Sequence, residues 1–179
     1  MKALLVIDFQ KGFLQLGDFS HEKSKVESLI KDFKRDEETV IFIRHIEENK
    51  DDPIAYGTEG ADIDSDLVEY ADDIFEKRTP SAFFKTNLQE KLDRLGVDHV
   101  FITGFNTEFC AQFTAIAAYD RGFKVTFIED ATATVNNDET YEFPGLDIRD
   151  FVGTVLNWSS VIEVLDYEEY VEEYKTLGN

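Results

Sequence analysis

Six short runs dominated by apolar side chains recur along the chain, at residues 3–7, 39–43, 73–75, 100–103, 124–128 and 161–165. Each is closed by polar or turn-forming residues and is short enough for a strand buried on both faces. Between them the period changes. Val26, Leu29, Ile30 and Phe33 fall on one face of a helix that Ser20 can start and that runs to about Lys34. Thr86 or Asn87 can cap a second helix, with Leu88, Leu92 and Leu95 inward and Gly96 as its stop. A third begins near Thr107, passes through Phe109, Phe113, Ile116, Ala117 and Asp120, and ends at Gly122. Two more are read at residues 148–158 and 167–175. Strands alternating with crossover helices predict an α/β fold of three layers, a central and mostly parallel six-stranded sheet between helices, as one domain over residues 1–179.

Residues 47–68 break this alternation. They hold Asp51, Asp52, Pro53, Gly57, Gly60 and scattered acids with little periodicity, so the segment reads as a functional loop or as a mobile acidic surface. A second loop around residues 136–145 carries Tyr141 and Phe143, which suit a lid, an interface or simple surface packing.

Composition narrows the partners. With 38 acidic against 18 basic residues the formal net charge is −20, and a phosphate backbone would be repelled, which argues against nucleic acid. The apolar run at 3–7 meets Asp8 too soon for an export signal, and no stretch approaches the length of a membrane span. The single cysteine excludes an internal disulfide and a multi-cysteine metal cluster, and suits a reducing compartment, so a cytoplasmic location away from membranes is expected.

That cysteine is also the leading candidate for chemistry. Cys110 closes the stretch Gly104-Phe105-Asn106-Thr107-Glu108-Phe109-Cys110 after the fourth apolar run, at a strand-to-helix turn where N–H groups and the helix dipole bias a thiol toward thiolate. Asp8 follows the first strand and Lys77 the third. Strand carboxyl ends open on one side of such a sheet, so the three can converge in one crevice. As a set they are chemically competent. Asp8, if burial raises it toward neutrality, takes the thiol proton, Lys77 offsets the carboxylate, and backbone N–H groups of Asn106 and Cys110 receive the oxyanion.

With those residues in view, the chain resembles the isochorismatase-like cysteine hydrolases, a family that includes nicotinamidases, N-carbamoylsarcosine amidohydrolases and ureidoacrylate amidohydrolases. The matching stretches are residues 4–13 around Val6-Ile7-Asp8-Phe9-Gln10, 57–63 (Gly57-Thr58-Glu59-Gly60-Ala61-Asp62-Ile63), 77–83 (Lys77-Arg78-Thr79-Pro80-Ser81-Ala82-Phe83) and 102–110, continuing through Thr114-Ala115, Gly122 and Asp130-Ala131. The resemblance implies the isochorismatase-like hydrolase fold, a catalytic triad of Asp8, Lys77 and Cys110, and hydrolysis of a small amide or ureido C–N bond through a thioester. It also implies a cis peptide between Phe105 and Asn106 that aims the Asn106 N–H at the oxyanion, a pocket position for Phe13, and assembly as a homodimer or homotetramer. Phe83 and Phe109 are further pocket candidates, and Arg44 or Arg78 could hold a substrate carboxylate.

The departures set the expectation for cofactors. Metal-dependent nicotinamidases carry Asp-x-His after the second strand and more histidines in the next loop, whereas this chain reads Arg44-His45-Ile46-Glu47 with no histidine in the loop that follows. No metal and no other cofactor is therefore expected, His45 with Asp51 or Asp52 being the residual candidate set. Family members acting on the vinyl ether of isochorismate generally lack the cysteine, which favours acyl or carbamoyl chemistry here. The alternatives are a nicotinamidase-type enzyme with a replaced metal site and a non-catalytic metabolite-binding member of the family.

Overall fold

In the computed structural model, which describes residues 1–175, the first apolar run becomes the centre of the sheet. Strand β1 (Lys2–Ile7) sends Ala3, Leu5 and Ile7 to one face and Leu4 and Val6 to the other, all fully buried. This period of two with both faces apolar is what a parallel strand between two helical layers requires. Strands β2 (Thr39–His45), β3 (Asp73–Lys77), β4 (His99–Phe105), β5 (Lys124–Ala133) and β6 (Glu163–Leu165) complete a six-stranded sheet in the order β3-β2-β1-β4-β5-β6, with all pairings parallel.

Helices α3 (Leu88–Leu95), α4 (Gln112–Tyr119) and α5 (Ile148–Trp158) contribute Leu88, Leu92, Ala115, Ala118, Val152 and Leu156 to the core on one face. On the other face lie α2 (Ser20–Arg35) and α6 (Tyr167–Tyr174), through Val26, Leu29, Ile30, Phe33 and Tyr170. Helix α6 opens on a capping box in which Asp166 accepts from the Glu169 N–H and Glu169 accepts from the Asp166 N–H. A short helix α1 (Lys11–Leu14) follows β1 directly.

The sheet runs outward in both directions from the β1/β4 pair, and its topological switch point lies between their carboxyl ends. There the strands approach closely. Gly104 has φ +103°, and a Cβ at that position would stand 2.0 Å from the Ile7 carbonyl oxygen. Only glycine fits both the backbone angle and the gap.

The loop at 47–68 is fastened rather than loose. The buried Gln10 side chain donates to the carbonyls of Ala61 and His45 and accepts from the His45 N–H. An isolated antiparallel bridge joins Gln10 to Ile63, and a 3-10 turn (Glu59–Ala61) follows the tip. One amide thus ties the loop to the end of β2.

Candidate active site

Asp8 leaves β1 in a left-handed conformation, φ 46°, which turns its side chain back under the ends of the neighbouring strands. The position is uncommon for a residue with a Cβ, although Asp tolerates it better than most. Its amide still donates to the Ile43 carbonyl, so the sheet continues through the turn. Lys77 ends β3, in register with His45 at the end of β2. Its side chain reaches past β2, and its Nζ lies 2.6 Å from Asp8 Oδ2, 3.0 Å from His45 Nδ1 and 3.1 Å from Cys110 Sγ. Both members of the Lys77–Asp8 pair have fully buried side chains.

An ammonium has three N–H bonds, and here three acceptors surround it. For His45 Nδ1 to accept, the imidazole proton must sit on Nε2, the nitrogen that lies 3.9 Å from the Glu47 carboxylate. Burial, and then the Lys77 charge, hold His45 below the ordinary histidine range, which favours the neutral ring this contact needs. Burial alone would lower the Lys77 ammonium, but the Asp8 carboxylate and the Cys110 sulfur hold it above its usual value. Sequence reasoning treated His45 only as a metal donor; its register opposite Lys77 is the signal that could have placed it here.

Cys110 sits inside a π-helical turn (Thr107–Ala111) that precedes α4. The Asn106 carbonyl accepts from the N–H groups of Phe109 and Ala111, the two residues flanking the cysteine. Contrary to the bias expected of a helix N-terminus, burial and the Asp8 carboxylate push the Cys110 thiol up, and Lys77 opposes them only in part. The direction favours the protonated thiol at rest. The cysteine stands fourth in the turn, and the desolvation of its charged form outweighs the turn's dipole. Asp8 Oδ1 is buried and accepts no hydrogen bond.

The aromatic candidates separate. Phe13 stacks on Phe105, centroids 5.8 Å apart, in a group that also holds Phe9 and Phe19 against the same ring. Phe83 is buried against Phe123 beneath the Arg121 guanidinium. Phe109 is half-exposed and lines a cavity of about 270 Å³ between the π turn and α5, with Tyr141 and Leu146 at its edge. Arg44 pairs with Glu76, and Arg78 pairs with Glu48. Glu108, which the sequence did not single out, accepts from Thr134, Asn136 and the Tyr141 hydroxyl and so fastens the 134–141 segment beside the π turn.

A family model described as the isochorismatase domain matches residues 2–160. The chain belongs to the isochorismatase family. Among curated proteins, Nicotinamidase 3 of Arabidopsis thaliana is 35% identical over 150 residues, covering 76% of this chain and 75% of that protein. The isochorismatase family protein YaaI of Bacillus subtilis, itself uncharacterised, is 30% identical over 164 residues, 79% of this chain and 85% of the relative. Solved structures share the fold. An isochorismatase family protein from Desulfovibrio vulgaris superposes with a TM-score of 0.79 at 19% identity over 96% of both chains, and nicotinamidase PncA from Bacillus subtilis with 0.74 at 22% over 92% and 99%.

Two expectations attached to the isochorismatase family meet the geometry differently. No peptide bond among the described residues is cis, so Phe105–Asn106 is trans. Strand β4 runs extended through Phe105, which pairs with Ala133, and Asn106 stays extended at φ −84°, ψ 145° while its Oδ1 accepts the Val135 N–H.

The second concerns metal. Among the described residues, the one set of three donor side chains with atoms within 4.8 Å of one another is Asp8, His45 and Cys110, and Asp51 and Asp52 lie outside it. All three donors already converge on Lys77 Nζ. A divalent ion bound by them would need the position of a buried ammonium, and the two like charges would repel. These residues fit a lysine-centred cluster and do not fit the family's metal.

Proposed function

We propose that this isochorismatase-family protein is a cysteine hydrolase acting on the C–N bond of a small amide or ureido compound. The observation that carries the reading is the free Asp8 Oδ1, a buried acceptor without a partner, in a carboxylate grouped with the Cys110 thiol and anchored at its other oxygen by Lys77. The nicotinamidase relative supports amide chemistry.

The raised thiol defines the order of events. The Cys110 proton passes to Asp8 as Sγ forms a bond to the substrate carbonyl carbon, and the carbonyl electron pair moves onto oxygen. The N–H of Cys110, in the first turn of the helix, is the donor assigned to that oxyanion. The N–H of Asn106, which precedes the π turn, is the second donor assigned to it. Asp8 returns its proton to the nitrogen as the C–N bond breaks, and ammonia or an amine leaves. Water then gives a proton to Asp8 and attacks the thioester, the C–S bond breaks, and the thiol is restored. Lys77 stays charged throughout; it holds Asp8 in place and offsets the negative charge that moves between oxygen and sulfur.

The test is intact mass spectrometry during turnover of a pooled set of small amides and ureides, nicotinamide among them, with isochorismate as a C–O control. A covalent adduct on Cys110 carrying the acyl or carbamoyl mass is expected, and Cys110→Ala should lower turnover by about 10³-fold or more. Unchanged turnover in Cys110→Ala, or turnover of isochorismate alone, would refute the reading.

A further inference from the structure

The π turn diverts one backbone bond. The Asn106 carbonyl accepts from Phe109 at 3.1 Å and from Ala111, five residues on, at 3.2 Å. In an α turn that carbonyl would take the residue four on, which here is Cys110. Turns of this kind are rare and cluster at functional sites, so something outside the helix has to favour this one. Its entry is fixed against the end of β5, where Asn106 Oδ1 accepts the Val135 N–H and Thr107 Oγ1 donates to Thr132 Oγ1. Glu108 comes next. Its Oε1 accepts from Thr134 Oγ1 at 2.8 Å, Asn136 Nδ2 at 2.7 Å and the Tyr141 hydroxyl at 3.0 Å. Hydrogen bonds to a carboxylate are roughly twice as strong as neutral ones, so three on one oxygen make a firm tie. Burial and the Glu108 carboxylate push the Tyr141 hydroxyl up to about 12, and it keeps the proton it donates. The donors stand on a stiff support. The Thr140 N–H bonds to Asn137 Oδ1, the Gly145 N–H to the Asp138 carboxylate and the Phe143 N–H to the Asp138 carbonyl.

We propose that Glu108 is a positioning residue, which clamps the turn in its π form and so holds Cys110 against Lys77 with the Cys110 N–H free for the oxyanion. This role rests on the reading of Cys110 as the nucleophile. Without the clamp, α4 stays where it is, because Ala115 and Ala118 are buried in the core and Thr114 accepts from the Ala82 N–H. The change falls on residues 107–111. Relaxation to an α turn slips their side chains by one position, about 100° around the helix axis. Cys110 Sγ then leaves Lys77 Nζ, which lies 3.1 Å away in the π form, and leaves Asp8 and His45 with it. Its N–H becomes the donor to the Asn106 carbonyl and is lost to the oxyanion.

Two readouts on Glu108→Ala test this, with Glu108→Gln, which keeps an acceptor oxygen, as the rescue and Glu139→Ala, an exposed acid of the same loop, as the control. The first needs no substrate. Alkylation of Cys110 by iodoacetamide across pH 7–10 should quicken by about tenfold or more at pH 8.5 in Glu108→Ala, its midpoint moving down toward the ordinary thiol value near 8.5, because burial and Asp8 no longer push the thiol up. The second is turnover of whichever amide or ureide of the pooled set is hydrolysed. There kcat should fall by about 100-fold or more with KM changed less than about threefold, since an oxyanion donor acts in the transition state. Glu108→Gln should recover most of both, and Glu139→Ala should match wild type. Circular dichroism and melting temperature verify folding; if Glu108→Ala does not fold, Asn136→Ala/Tyr141→Phe removes two of the three donors instead, with changes of about tenfold expected. A folded variant with the wild-type alkylation profile, an equal shift in Glu139→Ala, or a raised KM at unchanged kcat would each overturn the proposal. Shifted alkylation with kcat and KM both unchanged would leave the clamp standing and refute Cys110 as the nucleophile.

Discussion

The side chain that organises the candidate site is Lys77, because its three N–H bonds meet three acceptors from three different strand ends. Removing one acceptor frees the ammonium to rotate away from Asp8. His45→Ala is therefore expected to lower turnover by about 10- to 100-fold, the range seen when a supporting hydrogen bond is lost, and His45→Asn, whose amide oxygen can stand near the Nδ1 position, should recover most of it. Imidazole nitrogen NMR gives the second readout. It should show the Nε2–H tautomer with a titration midpoint below the ordinary histidine value near 6.5, so the acceptor survives mild acid and is lost only at lower pH. A midpoint at or above 6.5 would contradict the contact. At this scale much was legible in the sequence, since Asp8, Lys77 and Cys110 each follow or end an apolar run and parallel strands open on one side. The thiol's protonation was not legible, because it depends on burial and on the distance to one carboxylate, and neither can be read from spacing.

Elements join at the β1/β4 switch point, and Gly104 decides whether they can. Gly104→Ala adds a Cβ 2.0 Å from the Ile7 carbonyl at φ +103°, whereas Gly122→Ala adds one at φ +89° with nothing within 4 Å. Denaturant melts should show the Gly122 variant destabilised by about 1–2 kcal/mol, the cost of the left-handed backbone alone. The Gly104 variant should lose distinctly more, or fail to fold, because β1 and β4 must separate. Equal losses would mean that the strands adjust at no cost. All six strands and the five longer helices were readable from periodicity, but β4 runs on to Phe105 and β5 to Ala133, past the polar Thr103 and Glu129 where hydrophobicity alone ends them. Helix α1 and the 3-10 turn at Glu59–Ala61 are four residues or fewer, too short for a period to show, and the helix read from Thr107 begins as the π turn, with α4 starting only at Gln112. The trans peptide before Asn106 was missed for a different reason, because the expectation came from the family and from no residue of this chain.

For the whole molecule, acid is the condition to which the structure assigns a weak point. His99 begins β4 inside the core, where its ring packs on Phe101 and its Nε2 lies 2.7 Å from Thr126 Oγ1. Burial, with help from Lys124, depresses it to about 4. Between pH 6.5 and about 4 the unfolded chain binds a proton that the folded chain does not, so this residue favours the fold fully above pH 6.5 and loses that contribution as the pH falls. The loss amounts to a few kcal/mol. Melting temperatures measured across that window should fall less steeply for His99→Gln than for wild type, and parallel curves would show that carboxylates alone set the acid limit.

The sheet order carries one more consequence, for the time before the fold exists. Strand β1 is made before either of its neighbours, yet it occupies the middle of the sheet, and its second edge cannot be filled until β4, ending at Phe105, has followed. During synthesis the Leu4-Leu5-Val6-Ile7 segment is therefore an apolar strand with an open side while nearly a hundred further residues emerge. Chains that stop short of β4 should be the adhesive ones, and a nascent chain of this protein has reason to be shielded until its fourth strand arrives.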